Sequence, residues 1–176
     1  MTENTHNVMF LCTGNSARSI MAERLVEGLE QGRFRGFSAG SHPRGEVHPL
    51  ALEVLRRNNY VTDGLRSKDW SEFAEPNSPL MDFVFTVCDN AAAEVSLVWP
   101  GHPTSAPLGV ANPAAAEGDE VARMMAFRTA FGELQNRISI FFNLPLAPLD
   151  KLSLKEKLDE IVRTKLGEEE TGAPTP

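Results

Sequence analysis

Short apolar runs alternate with longer segments of helical periodicity along this chain, and this alternation restricts the fold more than any other feature. Residues 7–11 and 83–88 are short and mostly apolar, as in buried strands, and residues 34–39 predict a further strand that ends at Gly40. Residues 104–110 predict a further edge strand, although Pro107 weakens this prediction. Helices are predicted over residues 16 to about 30, 47–59, 119–142 and 153–166, the last capped by Ser153. The alternation predicts an α/β fold with an open, mostly parallel, four-stranded sheet flanked by helices.

Length and charge limit the classes of protein that remain. The 176 residues suit one domain, expected over 1–166, with 167–176 as a disordered tail. A net charge of −7 argues against a nucleic-acid partner, and the longest apolar stretch is too short for a membrane span. The polar start MTENTHN lacks a secretory pattern, and two cysteines imply no disulfide scaffold, so a cytoplasmic location is expected. The four histidines show no paired spacing, so no metal site is expected.

The sequence CTGNSARS places a cysteine where the first predicted strand meets the first predicted helix. In such a loop, backbone N–H groups can converge on an oxyanion, and the candidate anion-binding residues are Thr13, Gly14, Asn15, Ser16, Ala17 and Arg18. The guanidinium of Arg18 matches two oxygens of a tetrahedral anion. A positive environment lowers the pKa of a thiol, so Cys12 is the candidate nucleophile, with Ser19 placed to hydrogen-bond its sulfur.

This loop resembles the phosphate-binding loop of low-molecular-weight protein tyrosine phosphatases, and more closely that of the arsenate reductases that share their fold. The resemblance continues in SAGSHPRGEVHP, GLRSK, DFVFTVCDNAA and NRISIFFNLPL, and so extends from Asn7 to about Leu166. Cys88, followed by Asp89 and Asn90, favours a reductase, because a phosphatase needs no thiol there. The plainer alternative for Cys88 is a buried core thiol.

The resemblance implies a reaction that uses both thiols. Cys12 would attack arsenate, and Cys88 would then attack Cys12, giving a disulfide and releasing arsenite. No tightly bound cofactor is implied, but an external thiol reductant is: thioredoxin, or glutaredoxin with glutathione. The partner at the loop would be an arsenate- or phosphate-like oxyanion. Asn15, Glu23 and Ser38 match positions that gather around the loop or a monovalent cation in some relatives, although Asn15 is expected to support the loop.

Three positions depart from the pattern of these relatives. Ser96 stands where many of the reductases have a third, relaying cysteine, which makes a relay to thioredoxin doubtful. Asn112, before Pro113, replaces the aspartic acid that protonates the leaving group, and an amide has no transferable proton. Asn112 could instead cap a turn, and Glu117, Asp119 or Asp89 could supply the acid. Residues 106–109 replace a frequent His-Trp before the glycine.

Three functions remain open at this point. The first is thiol-dependent reduction of arsenate to arsenite, in which Cys12, Arg18, Ser19, Cys88 and position 112 form the catalytic set. The second is a tyrosine phosphatase, for which Cys88 would be dispensable and Asn112 a handicap. The third is a catalytically impaired, oxyanion-binding regulatory protein, which the changes at Ser96 and Asn112 motivate.

Overall fold

The computed structural model describes residues 5–29, 34–75, 77–87 and 104–143. Its strands are β1 (His6–Cys12), β2 (Phe34–Gly40), β3 (Phe83–Thr86) and β4 (Thr104–Pro107). Its α-helices are α1 (Arg18–Leu29), α2 (Pro49–Arg57) and α3 (Glu120–Phe142), and short 3-10 turns span Trp70–Phe73 and Pro113–Ala115. The strands form one open, wholly parallel sheet in the order β2-β1-β3-β4. The predicted α/β fold is confirmed.

The elements agree with the predicted ones except at some ends. Helix α1 begins at Arg18 rather than Ser16, because the residues before it remain in the loop. Helix α2 begins at Pro49, after the predicted residue 47, because His48 is its N-cap. Strand β4 is an edge strand and ends at Pro107, as its proline requires. The predicted helix over 153–166, the tail and Cys88 lie outside the described residues.

Strand β1 lies inside the sheet, and its alternate side chains are buried on opposite faces. Val8, Phe10 and Cys12 belong to the larger core, which the three α-helices cover. Met9 and Leu11 belong to a smaller core on the other face, against which Trp70 and Phe73 also pack. Burial on both faces explains why this strand reads as a continuous apolar run. The alternation also turns Cys12 toward the helices.

The sheet register aligns the end of β1 with the end of β2. Cys12 pairs with Gly40 in this register, and Leu11 pairs with Thr86 of β3. In a parallel sheet the loops that follow the carboxyl ends of neighbouring strands lie at one edge. The loop after Cys12 therefore lies beside the segments that follow β2 and β3.

Helix α1 packs against β2 at a glycine. A Cβ atom on Gly36 would lie 2.4 Å from the backbone carbonyl oxygen of Glu23, which is a contact that only a backbone shift could relieve. By contrast, a Cβ atom on Gly132, in the interior of α3, would meet nothing within 4 Å.

We expect Gly36→Ala to lower the free energy of unfolding by about 1–3 kcal/mol, because the added methyl group overpacks the α1–β2 contact. The matched variant Gly132→Ala should raise it by about 0.5–1 kcal/mol, because alanine favours a helix interior. Urea denaturation of both variants measures these changes. A Gly36→Ala protein as stable as the wild type would contradict the close packing described for α1 and β2.

Helix α2 depends on a histidine at its N-terminus. Nδ1 of His48 accepts a hydrogen bond from the N–H of Leu50 at 3.1 Å, which requires that nitrogen to carry no proton. Burial lowers the pKa of His48 below its ordinary value of 6.5, and the charges of Arg123 and Arg44 lower it further. As the pH falls below the ordinary pKa of histidine, the unfolded chain therefore binds a proton at His48 more readily than the folded chain does. The free energy of unfolding falls as a result.

We expect the wild type to lose more free energy of unfolding than His48→Asn when the pH falls from about 7.5 to about 5.5. Asparagine can still cap the helix but does not titrate. Urea denaturation at both pH values gives the difference, and the other histidines contribute equally to both proteins. Identical pH dependence in the two proteins would show that protonation of His48 is not linked to folding.

Candidate active site

The loop between β1 and α1 is held from outside through its carbonyl groups. Three loop carbonyl oxygens accept backbone hydrogen bonds from the segment after β2: Thr13 O from His42 N at 2.9 Å, Gly14 O from Arg44 N at 2.9 Å, and Ser16 O from His48 N at 2.8 Å. In a trans peptide the N–H points opposite to the carbonyl, and no described peptide bond is cis. The N–H groups of residues 14, 15 and 17 therefore point away from this segment. Backbone N–H groups must be turned away from other backbone acceptors in this manner if they are to bind an oxyanion.

Asn15 fixes the shape of the loop, as expected. It has a φ of 43°, in the left-handed region, and its side chain is fully buried. Its amide nitrogen donates to the hydroxyl of Ser19 at 2.8 Å, and its amide oxygen accepts from the N–H of Lys68 at 2.8 Å. Asparagine tolerates this backbone conformation better than most residues. A Cβ atom on Gly40 would lie 3.0 Å from Cβ of Asn15, so the adjoining strand must carry glycine.

Cys12 and Ser19 lie at the two ends of this loop. Cys12 is 6% exposed and belongs to no disulfide. The hydroxyl of Ser19 is fully buried and accepts from Asn15, which leaves its own hydrogen for a further bond. Donation of that hydrogen to the sulfur of Cys12 stays a prediction.

Arg18 reaches two residues that follow β3 and β4 along the chain. Its Nη1 donates to the carbonyl oxygen of Val110 at 2.8 Å and approaches that of Val87 at 3.5 Å. The buried Arg137 in turn donates to the carbonyl of Gly109 at 2.7 Å, which supports the same segment. Because Nη1 is anchored, the Nε and Nη2 edge of Arg18 is the fork that can take two oxygens of an anion.

These residues enclose a small cavity of about 40 Å³. The described residues that line it are Cys12, Gly14, Asn15, Ser16, Ala17, Arg18, Arg44, Asn112 and Ala114. The structure thus brings the predicted nucleophile, most of the predicted anion-binding residues and position 112 to one place. None of the described lining residues carries a carboxylate, and two carry a guanidinium. Thr13, which the sequence also predicts, is not among the lining residues, although its carbonyl helps to hold the loop.

Asn112 has both of the roles considered for it. Its amide oxygen accepts from the N–H of Ala114 at 3.1 Å, so it caps the turn that begins at Pro113, and it also lines the cavity. Asp119 is the N-cap of α3, where its carboxylate accepts from the N–H of Ala122 at 2.8 Å. Asp119 is therefore committed to the helix, and the described residues place no general acid at the cavity.

A cluster of buried side chains beside the loop contains the positively charged Lys68. The ammonium group of Lys68 lies 3.2 Å from the hydroxyl of Ser38 and 3.5 Å from a carboxylate oxygen of Glu23, and it donates to the carbonyl of Arg66 at 3.0 Å. Burial lowers the pKa of Lys68, and the nearby Glu23 opposes that shift. Because the N–H of Lys68 also holds Asn15, the cluster is connected to the anion loop. Glu23 and Ser38 are two positions at which the resemblance suggested a monovalent cation.

Arg44 and Lys68 also belong to this arrangement, although neither is predicted from the sequence. Both lie in segments that carry the resemblance, SAGSHPRGEVHP and GLRSK, but the sequence does not indicate the direction of a long side chain. Cys88 and Ser96 lie outside the described residues, and their roles stay predictions.

Within the described ranges no group of three His, Cys, Asp or Glu side chains could hold a metal ion, and no helix is long and apolar enough to cross a membrane.

Comparison with known proteins agrees with this geometry. The arsenate reductase of Shouchella clausii is 33% identical over 135 residues, which cover 76% of this chain and 93% of the relative. A solved arsenate reductase in its phosphate-binding state has a TM-score of 0.59 at 23% identity, over 77% of this chain and 95% of that one. The Escherichia coli K30 tyrosine phosphatase Wzb, solved with sulphate, has a TM-score of 0.60 at 19% identity, over 76% and 93% of the two chains.

The sequence model of the low molecular weight phosphotyrosine protein phosphatase family matches residues 7–139. The match ends short of the expected end near Leu166 but includes all of the described residues that line the cavity. Its first residues contain β1 and the loop, and its last lie in α3. The loop, the parallel sheet and the matched residues together show that this chain belongs to the low molecular weight phosphotyrosine protein phosphatase family.

Proposed function

We propose that this protein reduces arsenate to arsenite, with thiols as the source of electrons. The observation that carries the proposal is the loop whose N–H groups and Arg18 surround a cavity lined by Cys12. Such a cavity suits a tetrahedral oxyanion, because backbone N–H groups and a guanidinium supply directed donors and positive charge. The names of relatives such as the Shouchella clausii enzyme support arsenate as the oxyanion.

In the proposed reaction the thiolate of Cys12 attacks the arsenic(V) atom. A bond forms between Sγ and arsenic, and an arsenate oxygen leaves as hydroxide or, after protonation, as water. The anion loop lowers the barrier because its donors are already oriented toward the charged group. The positive end of α1 favours the thiolate form of a cysteine at this position.

Cys88 would complete the reaction. Its thiolate attacks Sγ of Cys12, the S–As bond breaks, and the bonding electrons remain on arsenic, which leaves as arsenite. The two electrons that reduce arsenic(V) to arsenic(III) thus come from two thiols, which become a disulfide. An external thiol reductant, either glutaredoxin with glutathione or thioredoxin, returns the disulfide to thiols, which fits a cytoplasmic protein. With Ser96 in place of a relaying cysteine, this reductant must act on the Cys12–Cys88 pair itself.

We expect Cys12→Ser and Cys88→Ser each to lose multiple-turnover arsenite production by about 10³-fold or more, because each removes a sulfur that the reaction consumes. The control Ser96→Ala should keep its rate, since a hydroxyl cannot exchange with a disulfide. Arsenite is measured with each reductant system in turn, and mass analysis of the oxidised wild type should detect a Cys12–Cys88 disulfide. A Cys88→Ser protein with a full multiple-turnover rate would refute the two-thiol scheme.

The family also contains phosphatases, and position 112 separates the two activities. A phosphatase must protonate an alkyl or tyrosyl oxygen as it leaves, which the amide of Asn112 cannot do. Aspartate is nearly the same size as asparagine and caps a turn equally well. Position 112 can therefore be converted to an acid without removing its bond to Ala114.

We expect Asn112→Asp to raise the rate of aryl phosphate hydrolysis by about 10²–10⁴-fold, because it restores a general acid at the cavity. Asn112→Ala, which has neither acid nor amide, should show no such gain. Hydrolysis of p-nitrophenyl phosphate measures the effect. Wild-type hydrolysis that is already as fast as arsenate reduction would favour the phosphatase function. Phosphate binding without turnover of either substrate would instead favour the impaired, regulatory function.

A further inference from the structure

We propose that Arg44 is a second cationic contact for the bound oxyanion, and that it selects a free tetrahedral oxyanion over a phosphate monoester. This inference rests on the proposed function and concerns the same cavity. The backbone already joins Arg44 to the loop, because the N–H of Arg44 donates to the carbonyl of Gly14 at 2.9 Å. That bond places position 44 directly beside the anion loop.

The side chain of Arg44 then lies against the loop. A Cβ atom built on Gly14 would be 3.3 Å from Cγ and 3.3 Å from Nε of Arg44, so the arginine fills the space that a larger residue at position 14 would need. Arg44 also lines the cavity together with Cys12, Arg18 and Asn112. Its guanidinium is thus next to the place where an anion would bind.

Arg44 differs from three other arginines of the described residues in its ion pairing. Arg24, Arg57 and Arg66 each form an ion pair with a glutamate, over 2.6 to 2.9 Å. Across the described residues no carboxylate forms such a pair with Arg44. A guanidinium that no described carboxylate pairs with, at the edge of an anion cavity, can bind an anionic ligand.

The ligand of this cavity needs more positive charge than Arg18 supplies. A thiolate and an arsenate or phosphate dianion together carry several negative charges, in a chain whose net charge is −7. Arg18 already gives one nitrogen to the carbonyl of Val110. The charge of Arg44 also contributes to the lowered pKa of His48, which indicates that its field reaches across this side of the loop.

The small size of the cavity favours a free oxyanion over a phosphate monoester. Its volume of about 40 Å³ corresponds to about three water-sized groups, which suits a small oxyanion but leaves no room for an aryl group. Of the described lining residues, Arg44 and Asn112 are the exposed ones and so form the edge of the cavity. An ester group on the anion would have to extend past this edge. A free oxyanion instead presents an oxygen there, which the guanidinium can bind.

The test uses inorganic phosphate and the full chain, measured by calorimetry with the thiols reduced. We expect Arg44→Gln to bind phosphate about 10- to 100-fold more weakly than the wild type, as for the loss of a hydrogen bond to a charged group. Arg44→Lys should recover part of the affinity. The control Arg56→Gln makes the same change in net charge at an exposed position in the last turn of α2 and should bind within about 2-fold of the wild type.

Selectivity is measured with phenyl phosphate in the same experiment. For Arg44→Ala, the ratio of the Kd for phenyl phosphate to that for phosphate should fall about 10-fold, because the edge opens and the free anion loses a contact. Unchanged melting temperatures without phosphate would show that the variants fold. Phosphate binding by Arg44→Gln within about 2-fold of the wild type, or an equal loss in Arg56→Gln, would overturn the proposal.

Measurements of phosphate binding and of arsenate reduction distinguish the proposed contact of Arg44 from the proposed reductase function. If Arg44 controls phosphate affinity while the wild type reduces no arsenate, the contact stands and the reductase function fails. If the wild type reduces arsenate and Arg44→Gln binds phosphate normally, the reductase function stands and the contact fails. When both stand, Arg44→Gln should raise the KM for arsenate and leave kcat within about 3-fold, since a contact made equally in the ground and transition states changes KM alone.

Discussion

The hydrogen bonds between the anion loop and the segment after β2 are the interaction on which the rest of the site depends. Peptide N–H groups can gather around an anion only if their carbonyls are satisfied on the opposite side, and His42, Arg44 and His48 provide the donors. All three donors are backbone groups, so the arrangement depends on the path of the chain more than on side-chain identity. Glycine at position 40 allows that path, because a Cβ atom there would lie 2.6 Å from the carbonyl of Thr13.

The interior and the edge of this site differ in the groups that they present to a ligand. In the interior, uncharged N–H groups and the first turn of α1 provide directed donors around Cys12. At the edge, the exposed Arg44 carries a positive charge and the exposed Asn112 carries an amide group. An amide at position 112 can donate a hydrogen bond but cannot transfer a proton to an ester oxygen, as a carboxylic acid could. Under the proposed function, the edge therefore distinguishes reduction of a free oxyanion from hydrolysis of an ester, while the interior suits both.

Much of this arrangement could be predicted from the sequence, because it rests on local patterns. The predicted bounds of β1 and β2 are correct to within one residue at each end, and the helix predicted from Asp119 begins at Glu120 with Asp119 as its cap. The loop was recognised from its cysteine, small residues and arginine. The parts that could not be predicted depend on long side chains from distant segments. Lys68 reaches Glu23 across 45 positions, and Arg44 reaches Gly14 across 30, so their directions are set only when the sheet has formed.

The pairing of Cys12 with Gly40 in the sheet has a consequence for how such a protein can change over time. Successive residues of a strand face opposite sides, so a slip of one position would carry the sulfur to the other surface of the sheet. The position of Cys12 is thus tied to the hydrophobic core, and successive single substitutions cannot shift it gradually. New substrate preferences can instead arise by single replacements around the opening, where the side chains are exposed and the backbone is unaffected.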